Sequence, residues 1–262
     1  MKVVLSIAGS DSSGGAGIQA DLKTFEAFGV FGCTVLTVLT AQNTTGVKSI
    51  STVDASFVKE QLEMVFEDFE VSAIKIGMLF SNEIIDTIRE FIKDLNIPIV
   101  LDPVFISKAG SMLLSQDAIL NMKTLFDYAT IITPNQFEAK ALFNYEKNSN
   151  EAIDKIKKLK CATIIKNAIE MNKNQEEKSI DTLYLNQTIT KYETPFLSSR
   201  NTHGTGCSFS SAIAANLALG KSLDEAIETS NRFIYNAIKY APNLGKGKGP
   251  IGHKKASLSL QD

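Results

Sequence analysis

The chain has 262 residues, of which 44% are hydrophobic and 21% are charged, and its formal net charge is −2. These values are typical of a soluble protein with one large α/β domain, and they provide no overall positive field for nucleic acid or an acidic membrane. Three widely spaced cysteines without a CxxC pair argue against a disulfide framework or a structural zinc site, and two histidines are too few for a histidine-rich metal site.

Short apolar runs alternate with helical patterns along nearly the whole chain. The runs are rich in β-branched residues and predict buried strands at residues 3–8, 34–40, 73–76, 97–101, 130–132 and 163–165. The segments between them predict helices at residues 18–28, 55–69, 82–95, 116–126 and 151–159. This alternation predicts one domain over residues 1–262, with a central, mainly parallel sheet and helices on both of its faces.

The pattern changes in the last third of the chain. Two short alternating runs within residues 181–192 predict an antiparallel hairpin, and the polar segment 172–178 predicts an exposed loop before it. Two helices then complete the domain. The first runs from a glycine-rich turn to an end cap at Gly220, and the second begins at Ser222 with a capping-box pattern.

The sequence predicts neither an export signal nor a membrane-spanning segment. A strand pattern begins almost at once after Met1, which leaves no room for a signal peptide. The longest apolar run, around Val30 to Ala41, is too short and too rich in threonine to span a bilayer. A cytoplasmic location is therefore expected.

The most informative segment, residues 201–207, reads Asn-Thr-His-Gly-Thr-Gly-Cys and opens the first of the two final helices. The first amides of a helix have no intrahelical partner, and glycines there let a phosphate approach them closely. Cys207 would lie in the same field, which can favour a thiolate. The pattern suggests phosphoryl transfer with a base nearby, although such a turn also serves close packing and a cysteine is often a small buried apolar residue.

Polar or glycine-rich segments follow five predicted strands, at the edge where open parallel sheets bind ligands. These segments are residues 9–17, 41–44, 77–79, 102–104 and 133–138. Standard nucleotide motifs are absent, because the first segment lacks the G-x-G-x-x-G spacing and the run from Gly220 to Ser222 lacks the first glycine of a P-loop. Five such segments at one edge of the sheet favour an active site there.

Four polar residues near this edge have two interpretations each. Asp102, Asn135 and Glu138 carry the oxygen ligands that Mg²⁺ prefers, but Asn135 and Glu138 would equally suit the cap and first turn of a helix. Lys166 could neutralise a transferring phosphate or lie on the surface.

Three further residues are candidates for contact with a substrate. Asp21 and Gln42 stand beside otherwise apolar runs and could read a heterocycle through hydrogen bonds, although a polar helix face would explain Asp21 as simply. His203 is a weaker candidate for lining the glycine-rich turn.

Seven blocks of sequence carry a resemblance to a known family. They are SIAGSDSSGGAGIQADLKTF (6–25), TVLTAQNTTGV (37–47), KIGML (75–79), LDPV (101–104), ITPNQFEA (132–139), NTHGTGCSFSSAIAANLALG (201–220) and GKGKGPIGH (245–253). Together they resemble the bacterial hydroxymethylpyrimidine and phosphomethylpyrimidine kinases of thiamine biosynthesis, in the ribokinase-like superfamily. The blocks extend over essentially the whole chain in the expected order, and as a set they are highly specific.

The resemblance implies an α/β/α sandwich around a central, mostly parallel sheet, and two reactions that use ATP and Mg²⁺. The first phosphorylates the hydroxymethyl group of 4-amino-5-hydroxymethyl-2-methylpyrimidine, and the second extends the monophosphate to a diphosphate. A homodimer is also implied. In the matching turn, Gly204, Thr205 and Gly206 look like the anion hole and Cys207 like the base, where many superfamily relatives have Asp.

The other motifs imply the remaining parts of the site. Asp102, Asn135 and Glu138 resemble the set that organises magnesium and phosphate, and Lys166 would face the nucleotide phosphates. The pyrimidine pocket would comprise Gly9, Asp21, Gln42, Met78 and Val104.

One departure and two alternatives qualify this interpretation. Family members commonly continue the lysine strand as Lys-Gly-Gly-His, whereas this chain continues Lys166 with Asn167, Ala168 and Ile169, so the flap over the nucleotide is expected to differ. A pyridoxal or pyridoxine kinase would act on a similar ring with a hydroxymethyl group. A non-catalytic pyrimidine-binding protein would keep the pocket without turnover.

Overall fold

The computed structural model describes residues 1–105, 114–146, 149–172 and 174–259. Its first half contains β1 (Val3–Asp11), α1 (Gly17–Ala27), β2 (Phe31–Asn43), β3 (Gly46–Thr52), α2 (Ala55–Asp68), β4 (Val71–Ile76), α3 (Asn82–Ile92) and β5 (Ile99–Leu101). The second half contains α4 (Gln116–Met122), a 3-10 turn (Lys123–Leu125), β6 (Ile131–Ile132), α5 (Gln136–Phe143), α6 (Asn150–Lys157), β7 (Ala162–Met171), β8 (Glu177–Leu185), β9 (Thr188–Pro195), α7 (Thr205–Ala218), α8 (Leu223–Lys239) and α9 (His253–Leu258).

The described strands form one sheet in the order β3-β2-β1-β4-β5-β6-β7-β8-β9. The pairs from β2 through β1 and β4 to β7 are parallel, whereas β3, β8 and β9 join their neighbours in antiparallel pairs. After β1 the chain builds one side of the sheet and then crosses to the other side at β4. Because the order reverses between β1 and β4, a crevice forms beyond the carboxyl ends of these two strands.

Helices cover both faces of the sheet, as the alternation of apolar runs predicts. Successive strand residues point to opposite faces, so Leu5 and Ile74 belong to one core cluster while Val4 and Ala73 belong to another. The first cluster packs under α2, α3 and α4, and the second packs under α1, α7 and α8. The expected α/β/α sandwich with a mostly parallel sheet is confirmed.

The sequence pattern and the structure differ mainly at the sheet edge and near the C-terminus. Strand β3 is not predicted, because it is an edge strand with mostly exposed residues and no apolar alternation. Pairing with β8 extends β7 well beyond the predicted end at Ile165. In the predicted loop 172–178, Glu177 and Lys178 already belong to β8, and residue 173 lies outside the described residues. Helix α9 is also absent from the sequence prediction.

The two predicted helix boundaries around Gly220 are confirmed. Gly220 follows α7 with φ +86°, and Ser222 caps α8 in a capping box with Glu225. Among the helices in the described part of the chain, none combines the length and the apolar character that a membrane crossing requires.

Candidate active site

A cavity opens at the ends of β1, β4 and β5, beside the N-terminus of α7, at the edge where the sequence predicts an active site. The predicted site residues that line it are Gly9, Gln42, Met78, Val104, Asp102, Asn135, Glu138, Lys166, Gly204, Gly206 and Cys207. Two predicted residues, Asp21 and Thr205, lie behind the lining. The cavity therefore brings together residues from seven segments of the chain.

The glycine-rich turn at residues 202–206 presents the start of α7 to the cavity. Gly204 caps the helix at φ +85°, and a Cβ there would overlap the carbonyl oxygen of Gly15, so glycine is required. The amide and the hydroxyl of Thr205 both donate to the carbonyl oxygen of Thr202, at 3.3 and 3.0 Å. Thr205 therefore shapes the turn, and its place in the anion hole stays a prediction. The amides of the next two residues begin the helix at the cavity wall.

Cys207 lines the cavity and is partly exposed to it. Burial raises the pKa of its thiol to about 11, and the nearby Lys75 ammonium opposes that rise without cancelling it. Burial thus opposes the thiolate that the helix N-terminus can favour. At neutral pH the side chain is mainly a thiol.

Lys166 and Asp102 form a buried ion pair beside this turn. Lys166 Nζ lies 2.8 Å from Asp102 Oδ1, which also accepts a hydrogen bond from Thr133 at 2.9 Å. Lys166 is only 4% exposed, which excludes the surface interpretation. A Cβ on Gly206 would lie 3.5 Å from the same Nζ, so the ammonium adjoins the helix N-terminus. The two positive groups face one region of the cavity.

Asn135 and Glu138 form a capping box at the start of α5. The Asn135 side chain accepts from the amides of Phe137 and Glu138, at 2.9 and 3.0 Å, and the Glu138 carboxylate accepts from the Asn135 amide at 2.8 Å. The capping interpretation is thus correct, although both residues also line the cavity. Burial and the negative charge of Asp102 raise the pKa of Glu138 to about 8.

The carboxylates of Asp102 and Glu138 suit a divalent cation. A cation between them would relieve the repulsion that disfavours the ionised form of Glu138. Within the described ranges, no group of three or more Asp, Glu, His or Cys side chains could hold a metal ion. Mg²⁺ needs no such cage, because it commonly binds through one or two carboxylates, waters and substrate phosphates. Asn135 is a poorer ligand than expected, since its side-chain oxygen already accepts two helix amides.

Asp21 occupies a place that the sequence does not predict. Its carboxylate has no exposed surface and accepts hydrogen bonds from Ser6 at 2.6 Å, Ser211 at 2.7 Å and Lys75 at 2.8 Å. Asp21 therefore lies behind the cavity lining and not on an exposed polar helix face, and its contact with a heterocycle stays a prediction. Lys75 lines the cavity but is missed by the sequence interpretation, because a lysine inside an apolar strand gives no sign of its distant partner.

Asp11 and His203 join the loop after β1 to the turn before α7. One oxygen of Asp11 accepts from the His203 ring at 2.7 Å and from the amides of Gly15 and Ala16 at 3.1 and 2.9 Å. Burial alone would raise the pKa of Asp11, but hydrogen bonds from His203 and Ser13 hold it at about 2. Asp11 is also missed from sequence, although an acid followed by Ser-Ser-Gly-Gly is typical of a turn closed by its side chain.

The end of the cavity that Gln42 and Met78 line lies beside this pair. His203 Nε2 is 3.4 Å from the side-chain nitrogen of Gln42, which also lines the cavity. A Cβ on Gly9 would lie 3.7 Å from the sulfur of Met78, so these two residues form one wall. Amide, imidazole and thioether groups together suit a small polar heteroaromatic ring.

The departure after Lys166 keeps the backbone shape that glycine commonly provides. Asn167 has φ +65°, in the left-handed region, and its amide donates to Asp181 Oδ1 at 2.8 Å. Asn is among the few residues other than glycine that visit this region routinely. The bend is also a register shift between β7 and β8, and it follows directly on the buried lysine.

We expect Asn167→Gly to keep wild-type kinetics and Asn167→Val to lower kcat/KM for ATP about tenfold. A β-branched residue at positive φ costs on the order of 1–3 kcal/mol, and relaxation of that strain would move Lys166. Steady-state kinetics with varied ATP would measure the difference. Equal kinetics for the glycine and valine variants would show that the bend does not position Lys166.

The sandwich and the cavity at its switch point are those of a ribokinase-like protein. The chain is similar to the solved structure of a Bacillus subtilis pyridoxal kinase in an ADP complex, with a TM-score of 0.86 and 35% identity. The similarity covers 98% of this chain and 99% of that chain.

The family model described as phosphomethylpyrimidine kinase matches residues 11–252. A hydroxymethylpyrimidine/phosphomethylpyrimidine kinase of Staphylococcus aureus is 38% identical over 96% of this chain and 93% of its own length. The thiamine biosynthesis bifunctional protein ThiED of Geobacter sulfurreducens is 41% identical over 99% of this chain, which spans about half (54%) of that protein. The chain belongs to the phosphomethylpyrimidine kinase family.

Proposed function

We propose that this protein uses ATP to phosphorylate 4-amino-5-hydroxymethyl-2-methylpyrimidine and then its monophosphate, as a step towards thiamine. The observation that carries the proposal is the α7 N-terminus, which faces the cavity beside Lys166, in the same cavity that Gln42 and Met78 line. The name of the Staphylococcus aureus relative supports both steps, and the ADP complex of the Bacillus subtilis protein supports ATP as the donor.

Each residue of the site has a role that follows from its position in the cavity. The amides of Gly206 and Cys207 hold the transferring phosphoryl group, and Lys166 offsets charge on the ATP phosphates. Cys207 receives the proton of the hydroxymethyl group in the first step. Positioning and electrostatic stabilisation supply most of the rate in reactions of this kind. The pyrimidine is held by Gly9, Gln42, Met78 and Val104.

Mg²⁺ is proposed as the cofactor, held by Asp102 and Glu138. When bound, it would neutralise charge on the ATP phosphates. Asn135 contributes by fixing the start of α5, which positions the Glu138 carboxylate. Lys166 holds one oxygen of Asp102 and leaves the other free of ion pairing within the described contacts.

The central test is incubation of the purified protein with Mg-ATP and hydroxymethylpyrimidine, with products followed by mass. We expect the monophosphate to appear first and the diphosphate to follow. Monophosphate alone would limit the proposal to the first reaction. No phosphorylated product would contradict it, and pyrimidine bound without turnover would favour the binding-protein alternative.

A pyridoxal kinase activity is the second candidate, favoured by the similarity to the Bacillus subtilis pyridoxal kinase. Both substrates are small heteroaromatic rings with a hydroxymethyl group, so the same pocket and base would serve either. Side-by-side kinetics with the two substrates would separate them. A kcat/KM for pyridoxal well above that for hydroxymethylpyrimidine would reverse the assignment.

The pH dependence of the first reaction follows from the raised pKa of Cys207. A base acts only when deprotonated, so below a pKa of about 11 the rate should rise about tenfold for each pH unit. The second reaction should depend little on this group, because a phosphate oxygen is already anionic. Stopped assays of both reactions between pH 7 and 10 would show the contrast, and parallel profiles would contradict the role of Cys207 as base.

A homodimer, implied by the family resemblance, and a cytoplasmic location, expected from the sequence pattern, complete the proposal. Light scattering coupled to size exclusion should give twice the chain mass of 28.5 kDa. A mass equal to one chain would exclude the dimer.

A further inference from the structure

The glycine-rich segment before α9 contacts the tip of the β2–β3 hairpin. Thr44 lies between β2 and β3, and its side-chain oxygen accepts a hydrogen bond from the Gly247 amide at 3.1 Å. Its carbonyl oxygen accepts another from the Lys248 amide at 3.0 Å. Thr44 and Gly247 are 203 positions apart in the chain, so these bonds connect the first strands of the sheet to its last loop.

Residues 245–250, which we call the glycine strap, pass too close to the hairpin to carry side chains at two positions. A Cβ on Gly247 would lie 2.1 Å from the Thr44 carbonyl oxygen, and a Cβ on Gly245 would lie 2.4 Å from the Thr44 side chain. Gly247 does not have a positive φ. At this position the close approach of the hairpin, and not the backbone conformation, therefore requires glycine.

The glycine strap also holds the turn before α7. The Gly249 carbonyl oxygen accepts a hydrogen bond from the His203 amide at 3.0 Å, and a Cβ on Gly249 would lie 2.2 Å from Asn201 Oδ1. His203 and Pro250 then form a short parallel bridge. One segment thus joins the hairpin to the turn that carries His203.

The two elements that the strap joins present side chains to the same end of the cavity. Gln42, two residues before Thr44, lines the cavity, and its side-chain nitrogen lies 3.4 Å from His203 Nε2. Ser12 Oγ bonds the amide and the carbonyl oxygen of Gln42, at 2.9 and 2.8 Å, and so anchors the strand. In the described sheet β3 has a neighbouring strand on one side only, so the strap supplies the further support of the hairpin tip.

We propose that Thr44 and Gly247 are positioning residues for the pyrimidine, because the glycine strap fixes Gln42 and His203 relative to each other. The inference rests on the function proposed above, which assigns the pyrimidine to this end of the cavity. Lys166 is held by its own ion pair with Asp102. A change in the strap should therefore weaken binding of the pyrimidine and spare binding of ATP.

Gly247→Ala tests the contact without adding backbone strain. The new Cβ would overlap the Thr44 carbonyl oxygen and displace the hairpin tip or the strap. We expect the KM for hydroxymethylpyrimidine to rise about tenfold, as for the loss of one hydrogen bond to the ring, and the KM for ATP to stay unchanged. Steady-state kinetics of the first reaction, with each substrate varied in turn, would measure both constants.

Gly46→Ala is the matched control. Gly46 belongs to the same hairpin and has no positive φ, and its added Cβ would meet no atom within 4 Å, so both KM values should stay unchanged. Thr44→Val removes the acceptor of the Gly247 amide at similar volume and should raise the KM for the pyrimidine about fivefold. Thr44→Ser keeps the hydroxyl and should keep the wild-type KM.

Hydrogen exchange of the protein without ligands separates the effect of the strap from the proposed function. In Gly247→Ala, the amides of peptides covering residues 41–47 and 201–207 should exchange about tenfold faster, and in Gly46→Ala they should not. Wild-type exchange in Gly247→Ala, equal increases in the two KM values, or a loss confined to kcat would overturn the positioning role. Faster exchange in a protein whose wild type forms no phosphorylated pyrimidine would overturn the proposed function and leave the link between strap and hairpin standing.

Discussion

Cys207→Ala should slow phosphorylation of hydroxymethylpyrimidine about 10²–10⁴-fold and slow phosphorylation of the monophosphate far less. General-base catalysis contributes a factor of this size, and only the first reaction has a hydroxyl proton to remove. The anion-binding amides belong to the backbone and persist in the variant. Separate assays started from each substrate would give the two rate constants.

Two control variants make this comparison sharper. Cys207→Ser keeps a small polar side chain without a usable base and should resemble the alanine variant in the first reaction. Cys161→Ala removes a buried thiol at the start of β7, away from the cavity, and should leave both rates unchanged. Equal losses in the two reactions of Cys207→Ala would assign the residue to positioning.

Gly204→Ala should abolish most of both reactions, with a loss of roughly 10²-fold or more in each. The added Cβ would overlap the carbonyl oxygen of Gly15, and alanine disfavours φ +85°. The turn would have to move, and removal of a single anion-binding donor alone costs about 10²–10³ in kcat. Unlike Cys207→Ala, this variant should not distinguish the two substrates.

Gly220→Ala is the matched control. Gly220 has nearly the same backbone angle, φ +86°, but its added Cβ would meet no atom within 4 Å, and the residue lies at the far end of α7. It should lower the free energy of unfolding by about 1 kcal/mol and keep both activities. Comparable activity losses in the two glycine variants would show that backbone strain alone, without displacement of the turn, accounts for the effect.

The sequence predicts the sandwich well because the patterns that indicate its buried strands and its helices lie within short, contiguous segments. Buried parallel strands appear as short apolar runs, and α8 carries its own capping box. The edge strand β3 has no such signal, since pairing with β2 rather than burial defines it. For the same reason the extension of β7 past Ile165 cannot be predicted from sequence, because pairing with β8 defines it.

The same distinction applies to the candidate site, where residues in contiguous patterns are predicted and residues defined by distant partners are not. Turn residues such as Gly204 and capping residues such as Asn135 are found because their patterns are contiguous. The place of Asp21 is not, because its partners are 54 and 190 residues away. The raised pKa of Cys207 is also missed, since the burial that causes it depends on tertiary packing and cannot be read from the sequence.

The contact of His203 with Asp11 has a consequence for the timing of assembly. The two residues are 192 positions apart, so the loop after the first strand stays without its clamp until the last quarter of the chain is available. A ribosome-bound nascent chain shorter than this would carry the strands of the sheet but neither the glycine-rich turn nor the His203 side chain that holds the loop after β1. The folded form of this loop therefore depends on a contact between the first strand exit and the turn before α7, and that contact cannot form before both segments are available.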